Sequence, residues 1–504
     1  MKVKVISRNP DEYLRETKDS IHVLPRNIDP ALHPFEGPRE YVRALNATKL
    51  ERVFAKPFVA NLDGHKDGIS CLTKHPTKLA TIISGAYDGE VKLWSLTSQS
   101  CIQTIQAHDG HVRDVCFLPD GSRFLSVGID STIKTWSASC LESCDADAPS
   151  SIVPLSTIIS KSVISSISHQ RKSNIFATCG DQCQLWEHER NEPIRAFSWN
   201  VDSLHHVAFN PIDKHILASC ASDRSIILYD TRATGPIRKV VMSLRSNQVS
   251  WNPMEAFVFT AANEDFNLYS YDVRKLSSPL FVHKDMTSAV TSVDYSPTGK
   301  EFVAGGYDKS LRLYNAHQGH SRDIYHTKRM QHVTHTVWSL DNKYVISASD
   351  EMNLRVWKAH ASENLGYMNT KQRQAVHYTE ALKAKYASHP QVRRIARHRQ
   401  VPRHIYNAAN EHRSMRNKVT RKEANKRKHS KPGTVPHVAE RTKAGSRMIG
   451  QNLNCLSYHV SNTGQLWRSF SYSPNALRKE KVKCKLYESE GERDTKHHFT
   501  QRVE

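Results

Sequence analysis

The chain has 504 residues, too many for one ordinary core, yet only 38% are hydrophobic, so part of its length is not expected to pack into a core of its own. Lys and Arg number 71 against 50 acids, a formal charge of +21 that suits a polyanionic partner, RNA or DNA first among them. No apolar stretch reaches the roughly 18 residues that cross a membrane. Met1–Arg8 carries no signal-like apolar run, and ten scattered cysteines make no disulfide framework, so a soluble intracellular protein with reduced thiols is expected.

Residues 1–49 show no repeat and are expected to form an N-terminal extension. From 50 to 358 an aromatic repeatedly closes a short apolar strand: Trp94, Trp136, Trp186, Tyr229, Tyr271, Tyr314 and Trp357, at intervals of 42, 50, 43, 42, 43 and 43 residues. Asp88, Asp130, Asp223, Asp265 and Asp308 stand six residues before their aromatics; Asp181 stands five before Trp186, and the last repeat offers Asp350 or Glu351. In the first unit Ile69–Leu72 reads as a strand and His75-Pro76 as a turn. Leu79–Gly85 is a second strand, Tyr87–Gly89 a tight turn and Val91–Trp94 a third strand. Short β-rich runs on a 42–43 residue period resemble WD40 repeats, four strands to a blade. The expected fold is an all-β seven-bladed WD40 propeller with a basic α-helical C-terminal extension. Because the last repeat ends on its third strand at Trp357, Val53–Leu62 is expected to supply the missing fourth strand and close the ring.

Some polar residues recur with the repeat. His65, Ser84, Asp88 and Trp94, then His111, Ser126, Asp130 and Trp136, resemble the hydrogen-bonded sets inside WD40 blades, where buried polar groups satisfy one another. A Ser/His/Asp trio could suggest nucleophilic catalysis, but no nucleophile elbow, P-loop, zincin or dinucleotide motif accompanies it, so no catalytic residue is assigned. Cys179 and Cys183 are the best-spaced pair for a metal; without a second Cys/His pair at ligand spacing, no metal or cofactor is expected. His205 and His206 are read as blade packing, and Ser137–Ser160 as a surface-loop insertion.

After Trp357 the composition shifts. Residues 359–436 form a basic helical segment: between Lys371 and Lys431 there are 18 Lys/Arg and 3 acids. Lys371–Ser388 is expected to be a helix with Ala375, Tyr378, Leu382 and Tyr386 on one face, and Asn407–His429 a second helix. Charge of one sign repels itself unless a polyanion neutralises it. The residues expected to contact RNA are Arg393, Arg394, Arg397, Arg399, Arg403, Arg413, Arg416, Lys418, Arg421, Lys422, Lys426, Arg427 and Lys428. The last five also fit a nuclear import signal. Residues 437–504 show no clear periodicity and are expected to be a divergent, poorly ordered tail.

The stretches Arg393–Pro402, Ile405-Tyr406 and Arg421–Gly433, with Lys2–Arg8 and Asp29–Glu36, resemble the Sof-type family of WD40-repeat proteins over residues 1 to about 436. The resemblance implies a nucleolar, hence nuclear, component of the small-subunit processome. Its partners would be pre-rRNA, the U-three small nucleolar ribonucleoprotein and other processome proteins, and its role the maturation of 18S rRNA and the small ribosomal subunit. It also implies a rival role, since some animal members are substrate receptors of cullin-four ubiquitin ligases. Such receptors carry Trp-Asp-x-Arg at the ends of two consecutive blades. Tyr229–Arg232 and Tyr271–Arg274 are similar, with Arg232 and Arg274 as the docking candidates against a ligase adaptor; the alternative is that each arginine pairs locally.

Overall fold

Each closing aromatic lies in the third strand of an antiparallel sheet of at least four strands, and seven such sheets are found among the described residues. The computed structural model describes residues 34–138, 153–199 and 201–437, with the backbone of Met448–Ile449, Ser457–Val460 and Leu466–Ser469. The innermost strands, from Ile69–Lys74 in blade one to Val333–Trp338 in blade seven, touch one another in sequence, and the seventh meets the first. Side chains on these strands stitch neighbouring blades. Asn247 Nδ2 donates to Val290 O (2.7 Å), Thr291 Oγ1 to Val333 O (2.6 Å) and Thr334 Oγ1 to Ile69 O (2.6 Å), the last across the seam of the ring.

The seam is closed by the N-terminal side of the chain. Phe58–Leu62 pairs antiparallel with Leu354–Lys358, Leu62 opposite Leu354 and Phe58 opposite Trp357. The Lys358 N–H donates to Pro57 O (2.7 Å), and the Lys56 N–H to Ala361 O (3.1 Å). The closing strand is thus shorter than the expected 53–62. Val53 ends a helix, α1 (Glu36–Val53), which runs across the expected boundary at 49/50. Its Ala44 and Thr48 are buried at helical spacing, with Tyr41 half-buried one turn earlier, a pattern that no strand could place on one face.

A further expectation is corrected. The insertion Ser137–Ser160 is not wholly loop, because Ser156–Ile159 is the outer strand of blade two; residues 139–152 lie outside the described set. The expected disordered tail, 437–504, falls mostly outside it too. Met448–Ile449 adds a fifth strand beside Pro236–Val241 in blade four, and Ser457–Val460 pairs with Leu466–Ser469 in a separate unit, Gly450–Glu504.

Inside the blades the recurring polar sets are real but differ from the sequence expectation. Trp94 Nε1 donates to Ser84 Oγ (2.8 Å), and His65 Nε2 lies 2.6 Å from the same oxygen; Asp88 instead accepts the Glu90 N–H (3.0 Å) within its own turn. In blade two Trp136 Nε1 donates to Ser126 Oγ (2.9 Å), but the histidine is His108, not His111. His108 Nε2 is 2.8 Å from Ser126 Oγ and its Nδ1 2.9 Å from Asp130 Oδ2. The register explains it: His108 stands four residues before the strand at Val112, as His65 stands four before Ile69. His111 is exposed, with its Nδ1 2.7 Å from Tyr87 O. His108→Ala, which removes one buried partner each from Asp130 and Ser126, should cost about 2–3 kcal/mol in urea unfolding, and His111→Ala below about 1 kcal/mol. Equal losses would show that the register is wrong.

The turn acid of the last repeat is also settled by backbone geometry. Gly89, Ser131, Arg224, Phe266 and Lys309, each following its turn Asp, have φ between +57° and +87°, and Met352 (φ 71°) follows Glu351. Glu351, not Asp350, therefore occupies the position and pairs with Arg355, four residues on in the strand Leu354–Lys358.

Candidate nucleic-acid interface

Three helices follow the propeller: α2 (Thr370–Lys385), α3 (Pro390–Ala396) and α4 (Arg403–His429). An Asn369/Gln372 capping box starts α2. Pro390 sits at the first helical position of α3, and Pro402, which cannot donate but presets φ, precedes α4. That is why α4 begins four residues before the expected Asn407. On α2 Leu382 is buried, and Tyr378 and Tyr386 are half-buried, but Ala375 is exposed.

α2 and α3 pack on α1, so the two ends of the propeller chain meet in one helical cap. Tyr41 OH donates to Gln391 Oε1 (2.6 Å) and Arg43 Nη1 to Tyr378 OH (3.1 Å). Lys383 pairs with Glu51 (2.9 Å) and Lys385 with Glu40 (2.6 Å). Two lysines that raised the apparent charge of the extension are therefore paired with acids 332 and 345 residues earlier, which sequence order hides. Arg52 ties the cap to the ring, donating to Asp323 Oδ1 of blade six (3.0 Å) and to Ala396 O.

The predicted RNA-contact residues separate into groups. Arg399 is spent on the propeller: its Nη1 donates to Ser321 Oγ (2.6 Å) and reaches Asp285 Oδ2 (3.4 Å). Arg393, Arg394 and Arg397 are exposed on and just after α3, the first and last beside Thr48 and Glu51 of α1. Arg403 is exposed at the start of α4. Ile405 is buried, and His412 lies against Phe266 of blade five (ring centroids 5.1 Å apart), which fixes the first half of α4 to the ring. Beyond that contact Arg413, Arg416, Lys418, Arg421, Lys422, Lys426 and Lys428 are exposed, while Arg427 is half-buried with Nε donating to Glu423 O (3.2 Å). The 27-residue helix spans about 40 Å. Over its second half, 413–429, eight basic side chains face one acid, Glu423.

Arg232 and Arg274 occupy the same turn, after the third strand, in neighbouring blades four and five. Both are exposed, and each folds back on its own aspartate: Arg232 Nε to Asp230 (3.3 Å) and Arg274 Nη2 to Asp272 (2.7 Å), with Arg274 also over the Phe257 ring (4.7 Å). Cys179 and Cys183 face each other across a tight turn and are buried with Ala177, Leu185 and Phe197; burial pushes the Cys183 thiol up to about 12 and holds the Cys179 thiol well above its ordinary value. Such thiols stay protonated and pack as small hydrophobes. Among the described residues no three His, Cys, Asp or Glu side chains are placed to share a metal, and no helix is long and apolar enough to cross a membrane.

The model of the Sof1-like domain matches residues 359–444, and that of the WD domain, G-beta repeat, matches 56–95, 99–137, 276–315 and 319–358. The sequence is 56% identical over 443 residues to DDB1- and CUL4-associated factor 13 of Xenopus tropicalis, covering 88% of this chain and 98% of that one. The chain belongs to this Sof1-like WD-repeat family. The Homo sapiens protein of the same name is 54% identical over 443 residues with the same coverage, and that of Dictyostelium discoideum 45% over 315 residues, covering 62% of this chain and 70% of the relative. Among solved structures the WD40 β-propeller domain of Doa1 aligns with a TM-score of 0.52 at 16% identity, covering 60% of this chain and 96% of that one, a likeness of fold alone. The Sof1-like segment starts at 359, where the ring ends, and contains all of α2, α3 and α4.

Proposed function

We propose that this Sof1-like protein is a non-catalytic scaffold of the nucleolar small-subunit processome, holding pre-rRNA and its U-three small nucleolar ribonucleoprotein among other processome proteins on the way to 18S rRNA. The propeller provides rigid faces, and the basic helices provide the RNA contact. The observation that carries this reading is the second half of α4, where eight basic residues and one acid stand on a helix whose first half is anchored to the ring. Arginine forks grip phosphate without reading bases, and Tyr406 is the chief aromatic offered for stacking, so contact with little base preference is expected. No bond is made or broken by the chain in this role. Purification of the tagged protein from cells at low salt, followed by sequencing of bound RNA, should recover pre-rRNA and the U-three RNA; recovery of neither refutes the proposal.

A second reading is favoured by the placement of Arg232 and Arg274 in equivalent turns of adjacent blades, and by relatives named as DDB1- and CUL4-associated. Here the pair docks a cullin-four ligase adaptor. The double change Arg232→Ala/Arg274→Ala should weaken adaptor binding by roughly 2 kcal/mol or more in a titration with purified adaptor, while RNA recovery stays intact. Unchanged adaptor affinity would remove this pair from the docking surface.

A further inference from the structure

α4 carries a feature that phosphate binding does not use. At 100° per residue, Ile405, Ala408, His412, Met415 and Val419 fall on one narrow stripe. Its first part is covered: Ile405 is buried, Ala408 half-buried and His412 lies on Phe266. The same stripe then runs on past the blade-five contact, where Met415 is 62% and Val419 56% exposed. Arg416, Lys418 and Lys422 flank it, whereas Arg413, Arg421 and Lys428 point to the opposite side of the helix. A helix that met only RNA would gain nothing from an apolar pair aligned in this way.

We infer that the Met415–Val419 face is a docking site for a partner protein, an acidic amphipathic helix that lays its apolar side on Met415 and Val419 and its carboxylates on Arg416, Lys418 and Lys422. The inference rests on the RNA reading only in leaving the opposite face of α4 to phosphate. Charge selects the occupant. A second copy of α4 would bring the same positive charge, and residues 438–504 of this chain hold 12 Lys/Arg against 7 acids, so neither complements the stripe. An acidic helix does, and it would continue the interface that His412 already makes with Phe266 of the ring.

The test uses the full-length protein and two readouts. The first is fluorescence anisotropy with a synthetic Glu-rich, Leu-striped amphipathic helix as probe. Met415→Ala/Val419→Ala, which keeps helix propensity, should weaken its binding at least about tenfold and leave RNA affinity within about twofold. Arg413→Ala/Arg421→Ala/Lys428→Ala should do the reverse, lowering RNA affinity and sparing the probe. The second is a photo-crosslinker placed at Val419 in cells, with the captured peptide sequenced. A helical segment of net negative charge is expected. An RNA adduct, a crosslink to residues 438–504 or to a second copy, or a basic peptide would overturn the inference, as would probe binding that ignores the Ala pair. Failure of RNA recovery with normal probe binding would count against the RNA reading instead.

Discussion

Removing Arg413–Lys431 is expected to lower the affinity of the purified protein for pre-rRNA fragments on the order of 10³-fold near physiological salt, and to flatten the salt dependence of what binding remains. Each phosphate contact releases counterions, so each lost contact should reduce the slope of log K against log salt by about 0.7–0.9. The cut is placed by the structure. Val392 and Ile405 are buried and Arg399 is tied to Ser321 and Asp285, so a wider deletion would strip the cap from the ring and confuse loss of binding with loss of structure. With α1, α2, α3 and the anchored half of α4 retained, the thermal transition should hold to within a few degrees. In cells the truncated protein must carry a foreign nuclear signal, because Arg421–Lys428 is also the candidate import sequence. If it then crosslinks to pre-rRNA as before and supports 18S production, the RNA contact lies not on the second half of α4 but on the propeller or on the retained Arg393, Arg394, Arg397 and Arg403.

Acid should unfold the ring between about pH 6.5 and 4, and histidine is the reason. Burial lowers His65 and His283 from 6.5 to about 4 each; Lys92 adds to the effect on His65, while a bond to Gln318 O partly opposes it at His283. Burial also lowers His108, against the pull of Asp130. The unfolded chain takes up these protons below about pH 6.5 and the folded chain does not until about 4, so stability present at neutral pH falls as pH drops through that window. For His65 and His283 the loss is about 3 kcal/mol each. Asp114, whose buried carboxyl is raised to about 6, and Asp265, also raised by burial, work in the opposite direction, but two carboxyls do not offset the histidines of several blades. Urea midpoints measured from pH 7.5 to 4.5 should fall steeply below 6.5. The double change His65→Gln/His283→Gln should be less stable at pH 7.5 but show a shallower slope. A flat profile in the parent protein would mean that these rings are protonated in the folded state.

The propeller was legible because its signals are local and repeated: a buried aromatic closes all seven blades, and in six of them a turn acid stands six residues before it, followed by a left-handed residue. Ring closure was legible from a missing strand, and Pro57, which cannot continue a helix and stands just before Phe58, was the available sign of where the strand begins. The histidine of blade two was misread because the sequence offers His108 and His111 three residues apart, and only the register with Val112 separates them. The charge of the extension was counted along the chain, so the neutralising acids Glu40 and Glu51 went unseen. Tyr41, Ala44, Leu45 and Thr48 at three- and four-residue spacing were the available sign of α1. That Arg399 faces inward could not be read at all, because its partners Asp285 and Ser321 lie in blades five and six.

The closing strand has a consequence in time. Leu62 must wait for Leu354, so the ribosome adds about 290 residues between the two edges of one sheet. At about 5–20 residues per second that is roughly a quarter of a minute to a minute during which blade seven does not exist and the first blades expose an open side. The basic extension emerges after that. Its anchors, Asp285, Ser321, Phe266 and α1, are in place only once the ring has formed, so the polycation is made after the ring and onto a finished platform. A nascent chain stalled before blade seven carries little of the positive charge of the finished chain.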